Sequence, residues 1–174
     1  MKRLLIVVDY QVDFVNGALG FPEAVLLEGK IAEKIRAYRA ASNDVAFTFD
    51  THGANYLATQ EGKQLPVPHC VHESAGWELF GEIKELALPK DRRFLKPCFG
   101  SAELFDFLRG SEYDTIELVG VVTNICVISN AVLAKTALPE AEIIVDAFCC
   151  AGNNTTLHEK ALDVMESFQI SVYR

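Results

Sequence analysis

Short, wholly apolar runs rich in β-branched residues alternate along this chain with stretches of helical periodicity, and that alternation restricts the possible folds most sharply. Residues 4–8 (LLIVV) carry no polar side chain, as expected of a strand covered on both faces of a sheet. Leu27, Ile31, Ile35 and Tyr38 then recur at helical spacing within residues 26–41. Val45–Phe49 forms the second strand, Phe94–Leu95 a short third, Thr115–Val121 the fourth, Glu142–Val145 the fifth and Ile170–Tyr173 a terminal one. Helices are expected near Trp77–Leu86 and Ala102–Leu108, from about Asn124 to Leu138, and over Thr155–Phe168. Right-handed crossovers wind such elements into an α/β fold. The expectation is a single domain over residues 1–174, with a doubly wound sheet of about six parallel strands and helices on both faces. Ligands in such folds lie at the carboxyl ends of the strands.

Composition narrows the function. A net charge of −8 and the lack of any basic cluster argue against a nucleic-acid partner. No apolar stretch is long enough to cross a bilayer, and MKRLLIVVDY reads as a strand and not a signal peptide, because Asp9 interrupts the apolar run. A cytoplasmic setting is therefore expected. Five cysteines, Cys70, Cys98, Cys126, Cys149 and Cys150, are an odd number without paired CxxC spacing, which fits neither a disulfide framework nor a zinc knuckle. Most should be small buried hydrophobes. No G-x-G-x-x-G follows the first strand, so a dinucleotide site is disfavoured.

The strand-end rule selects Asp9 after strand one, Asp50 and His52 after strand two, Lys96 after strand three, and residues 120–126 after strand four. Cys126 falls in the first turn of the following helix, where a thiol pKa is lowered and free N–H groups can hold an oxyanion. Lys96 and Asp9 could supply a cation and a proton acceptor for a thiolate nucleophile. The competing reading has Asp9 capping a loop, Lys96 solvated and Cys126 in the core, but it leaves their shared position at one sheet edge unexplained. Residues 50–76 lack clear periodicity, and so long a connection in a compact domain is usually functional. They gather Asp50, His52, Glu61 and His69, with D-x-H spacing suited to one ion, though a hydrogen-bonded polar loop without a metal remains open.

In order, DYQVDF, the D-T-H loop ending in LPVPHC, KPCFGS and GVVTNICV resemble the isochorismatase-like cysteine hydrolases, specifically their nicotinamidase/pyrazinamidase branch, over essentially the whole chain. The resemblance implies a triad of Asp9, Lys96 and Cys126, in which the aspartate moves the thiol proton and the lysine orients the pair. It also implies an oxyanion hole from the N–H groups of Val122 and Cys126, with a cis peptide at Val121–Val122. One divalent metal ion, zinc in first place with iron or manganese as alternatives, is implied on Asp50, His52, Glu61 and His69, leaving His72 a bystander. Phe14 matches an aromatic packed on the substrate ring, and Leu19 and Phe21 complete that wall. There are departures: Pro66 stands where many nicotinamidases have a ring-stacking tryptophan, and Ile125 where some have histidine. Trp77 and Phe99 are the candidates to complete the pocket, while Cys70 and Cys98 are taken as packing residues.

The activity implied is hydrolysis of nicotinamide to nicotinate and ammonia through a Cys126 thioester, in a homo-oligomer acting on a small molecule. The alternatives are another cysteine amidase of the superfamily, acting on a carbamoyl or aliphatic amide, and a non-catalytic binding domain of the same fold. A vinyl-ether-cleaving isochorismatase is disfavoured by the cysteine nucleophile.

Overall fold

A computed structural model describes all of residues 1–174. Six strands, β1 (Arg3–Val8), β2 (Asp44–Asp50), β3 (Arg92–Lys96), β4 (Thr115–Val121), β5 (Glu142–Ala151) and β6 (Ser171–Tyr173), form one sheet in the order β3-β2-β1-β4-β5-β6. Every neighbouring pair is parallel. The expected doubly wound sheet is therefore borne out, with its order reversing between β1 and β4, where α/β folds open a crevice.

The two-sided burial of β1 explains its sequence. Leu5 and Val7 enter one core cluster while Leu4, Ile6 and Val8 enter the other. The first is covered by α1 (Val12–Val15), α2 (Pro22–Val25) and α3 (Glu28–Ala40), whose Ile31, Ile35 and Tyr38 are buried as their spacing requires. The second is covered by α6 (Ala102–Arg109), α7 (Ile128–Ala137) and α8 (Thr155–Ser167). Ser101 and Asn154 cap α6 and α8 by accepting from Leu104 N and Leu157 N at 3.1 and 3.0 Å. No helix is long and apolar enough to cross a membrane.

Three local expectations need correction. The helix near Trp77–Leu86 is shorter, α5 (Gly81–Leu86), because residues 77–80 instead run back along Gln11 and Tyr10. The long connection contains a short helix, α4 (Gln60–Gln64), capped by Thr59, whose hydroxyl accepts from Gly62 N at 3.0 Å. Strand β5 continues to Ala151 past Asp146, since Lys34 pairs with that carboxylate at 2.5 Å and lets it be buried.

Gly120 marks the switch point. Its φ of +117° is one that L side chains rarely adopt, and a Cβ there would run into the backbone of Val8. Gly120→Ala should destabilise the domain by more than about 1 kcal/mol, read as a lowered urea midpoint, whereas the same change at open Gly29 on α3 should not destabilise it.

Candidate active site

Parallel register assembles the centre. Asp50 and Lys96 are Cα partners at the ends of β2 and β3, and Thr48 is the partner of Val8, next to Asp9. Asp9 leaves β1 with φ 47°, and its N–H reaches both the carbonyl and the hydroxyl of Thr48 at 3.3 Å. The Thr48 hydroxyl in turn donates to Asp9 Oδ1 at 2.6 Å. Cys126 lies in a π-helical turn, Thr123–Val127, which runs directly into α7. The Val121–Val122 peptide is cis, and the Val122 N–H has no hydrogen-bond partner in the protein.

Lys96 joins these pieces. Only 1% exposed, its ammonium lies 2.6 Å from Asp9 Oδ2, 3.2 Å from Asp50 Oδ1, 3.1 Å from Cys98 O and 3.7 Å from Cys126 Sγ. The structure thus brings Asp9, Lys96 and Cys126 into one cluster, and the solvated lysine is ruled out. Asp9 Oδ2 meets the Lys96 ammonium at 2.6 Å, and a carboxylate oxygen keeps a second lone pair that can accept a further proton.

Burial and the neighbouring charges act on the protonation of the cluster in opposite senses. Burial, reinforced by the Asp9 and Asp50 carboxylates, pushes the Cys126 thiol well above its ordinary value, and Lys96 only partly opposes this. Burial also raises Asp9, against the pull of Lys96. For Lys96 burial alone would lower the pKa, yet the Asp9 and Asp50 carboxylates hold it above the ordinary lysine value. The resting arrangement is a thiol beside a carboxylate of enhanced basicity, with the ammonium charge fixed between them.

Asp50 faces two ways. Its Oδ2 lies 2.9 Å from His52 Nε2 and 3.4 Å from His69 Nε2, while Oδ1 meets Lys96. Burial alone would raise its pKa, but the imidazoles and Lys96 bring it below the usual carboxylate range. Glu61 Oε1, delivered by α4, lies 3.8 Å from His52 Nε2 and 3.6 Å from His69 Nε2. One ligand atom from each of Asp50, His52, Glu61 and His69 falls within 4.8 Å of the others. His69 Nδ1 faces the Val67 carbonyl at 2.8 Å, which leaves Nε2 as the inward lone pair. Two carboxylates and two imidazoles suit one divalent ion such as zinc, iron or manganese, so the residues present fit the group. His72 lies outside the cluster and packs on Trp77.

A cavity of about 440 Å³ opens onto Cys126, Asp50, Glu61 and His69 and is walled by Phe14, Leu19, Phe21, Phe99 and Val122. Leu65, Ile125 and Asn153, which the sequence had not singled out as lining residues, also face it. Phe99 thus takes the place left open, whereas Trp77 stacks on Phe49 and donates to the Thr51 hydroxyl. Cys70 is buried as expected. Cys98 is not a packing residue: it is exposed, and only its carbonyl serves the site, by accepting from Lys96.

Positioning residues were the other omission. Gln11, fully buried, clamps the Asp50 backbone through Asp50 N to Oε1 at 2.8 Å and Nε2 to Asp50 O at 2.9 Å. Asp13 accepts from Cys70 N at 2.8 Å and so holds the loop segment that presents His69. Asn130 on α7 donates to Cys126 O at 2.8 Å and to Phe99 O at 3.1 Å, and accepts from Ser101 N at 3.0 Å. Their partners are backbone atoms, which carry no residue signature; proximity of Gln11 and Asp13 to Asp9 was the available signal.

Comparison with known proteins agrees with this architecture. Residues 3–172 match the isochorismatase domain. A protein of Bacillus subtilis (strain 168) described as an uncharacterized isochorismatase family protein, PncA, is 27% identical over 143 residues, covering 76% of this chain and 78% of its own. The pyrazinamidase of Pyrococcus horikoshii, solved in complex with zinc, superposes with a TM-score of 0.85 at 28% identity, covering 100% of this chain and 99% of its own. The nicotinamidase PncA of Bacillus subtilis superposes with a TM-score of 0.87 at 27% identity and full coverage of both chains.

Replacing Lys96 by Met should leave Asp9 and Asp50 as uncompensated buried charges and cost about 3–5 kcal/mol at neutral pH. Chemical denaturation of wild type and variant checks this; equal stability would mean that the ammonium does not hold the cluster together.

Proposed function

The chain belongs to the isochorismatase family of hydrolases, and from that membership and the geometry above we propose that it is a cysteine amidohydrolase acting on a pyridine carboxamide, nicotinamide first. The observation that carries the proposal is the contact of one buried ammonium with Asp9, Asp50 and Cys126 at the base of an apolar cavity. The aromatic wall of Phe14, Phe21 and Phe99 beside a donor set fit for a divalent ion favours a ring amide over a carbamoyl or aliphatic one.

Asp9 takes the proton of Cys126, and the sulfur lone pair attacks the amide carbon. The carbonyl π pair moves to oxygen, where the N–H groups of Val122 and Cys126 are the proposed donors. Collapse expels the nitrogen, which takes the proton from Asp9 and leaves as ammonia, with a thioester on Cys126. Water then gives a proton to Asp9 and attacks the thioester; the thiolate leaves, is reprotonated, and the acid is released. Throughout, Lys96 keeps its charge and offsets the negative charge passing between oxygen and sulfur. Phe14, Leu19 and Phe21 orient the ring. A divalent ion on Asp50, His52, Glu61 and His69, zinc in first place, would supply a Lewis acid for a ring nitrogen. The reading carries with it a cytoplasmic setting, in keeping with the free cysteines, and a homo-oligomer.

Ammonia release from nicotinamide should be abolished by Cys126→Ala and lowered about 10²–10⁴-fold by Asp9→Asn; a Cys126→Ala protein turning over at the native rate would end the proposal. Chelator-treated enzyme should lose activity toward nicotinamide and regain it with added zinc. The pH profile follows from the shifts. Asp9 must be unprotonated to act, and its pKa is raised, so kcat/KM should fall on the acid side with a midpoint above the ordinary carboxylate value of 3.8. Lys96 is raised and the thiol lies well above 9.0, so no alkaline loss is expected below about pH 9.

A further inference from the structure

Beside the cavity that holds Cys126 lies a second, larger one of about 670 Å³. The two share Glu61, Leu65, Phe99 and Ile125 as a common wall. On the far side the second is lined by Thr51, Asn55, Gln60 and Gln64. The three apolar residues of the wall are large hydrophobics left 38–42% exposed. A lone pyridine carboxamide is far smaller than the combined space, and one seated in the first cavity would leave the second unfilled.

Charge specifies what fits. No lysine or arginine lines either cavity; Asp50 and Glu61 are the lining carboxylates. Lys96 offers no free charge, because Asp9, Asp50 and the Cys98 carbonyl already surround it. A divalent ion on Asp50, His52, Glu61 and His69 would be balanced by its two carboxylates, so a carboxylate or phosphate arm would lose its hydration there and find no net positive charge in exchange. A neutral arm carrying amide or hydroxyl groups would instead find the side-chain amides of Asn55, Gln60 and Gln64 and the apolar wall.

Resting on the amidase reading, we infer that the enzyme takes an extended, uncharged heteroaryl carboxamide, its amide at Cys126, its ring in the first cavity and a neutral hydrogen-bonding substituent in the second. The wall residues are then contacts of the ring-to-arm junction, and Gln64, exposed on α4, contacts the arm alone.

The test uses nicotinamide, nicotinamides bearing an acetamidomethyl arm at each ring position in turn, and the carboxymethyl counterparts. Rates of ammonia release are measured with the metal-loaded enzyme, and affinities by calorimetry on Cys126→Ala protein, which needs no turnover. At the best ring position the neutral arm should raise kcat/KM, mainly through KM, by about tenfold over nicotinamide, and the carboxylate arm should lower it. Gln64→Trp, which places an indole in the second cavity where the arm would lie, should collapse the ratio of armed to parent kcat/KM toward one, and Gln64→Lys should improve the carboxylate arm selectively. The subsite is refuted if no neutral arm improves either kcat/KM or affinity while nicotinamide is hydrolysed, or if Gln64→Trp leaves the ratio unchanged. If no amide releases ammonia yet the neutral arm still tightens binding to the Cys126→Ala protein, the subsite stands and the amidase reading fails.

Discussion

The burial of one ammonium group sets the terms for everything around it. Taking an ion of this kind out of water costs several kcal/mol unless its attractions are nearly ideal in geometry. Lys96, 1% exposed, meets that condition with two carboxylates, a carbonyl and a sulfur. Each partner comes from a different piece of chain, and the sheet register decides that they meet: Asp50 lies opposite Lys96, and Thr48 opposite the residue before Asp9. A slip of one residue in β2 would turn Asp50 to the other face. The long apolar runs that fix the register therefore also fix the chemistry.

The same cluster keeps the Cys126 sulfur in its neutral form. A buried thiolate beside Asp9 and Asp50 would face two negative charges with only one compensating ammonium, and the balance favours the thiol. Under the proposed mechanism the cost of ionising the sulfur is deferred until the negative charge passes to the substrate oxygen, for which the Val122 and Cys126 N–H groups are the proposed donors. Desolvation raises Asp9 as well, so the carboxylate beside the sulfur is a stronger proton acceptor than it would be in water.

Much of this was legible in the sequence, for a specific reason. A parallel sheet buried on both faces writes itself as uninterrupted apolar runs, and polar residues at the ends of those runs stand out: Asp9, Asp50, Lys96 and the segment leading to Cys126. What was not legible depends on contacts between distant segments. Asp146 ended the apolar run of β5 in the sequence, yet Lys34, over a hundred residues earlier, neutralises it and the strand continues. The short helix carrying Glu61 has too few residues for periodicity, and only Thr59 as an N-cap hints at it. The protonation of Cys126 could not be read from its place in a helical turn, because burial and carboxylates from other strands outweigh the helix terminus. Trp77 was an ambiguous aromatic until its packing on Phe49 and its bond to Thr51 removed it from the pocket.

Asp50 ties the two halves of the centre together through its separate oxygens, one toward the ammonium and one toward the imidazoles. A cation drawn to the second oxygen withdraws electron density from the first, so occupancy of the donor cluster and the charge balance around Cys126 are linked through one carboxylate. Glu61 stands apart from this core. Its side chain is 20% exposed where those of Asp50, His52 and His69 are at most 5%, and it belongs to the shared wall of the two cavities. Three donors are therefore fixed by the sheet end and the loop paired with it, and the fourth is presented by a short surface helix that also borders the second cavity. Any group occupying that cavity would press on the same helix that supplies the fourth donor, so the proposed outer subsite and the completeness of the donor set depend on one five-residue element.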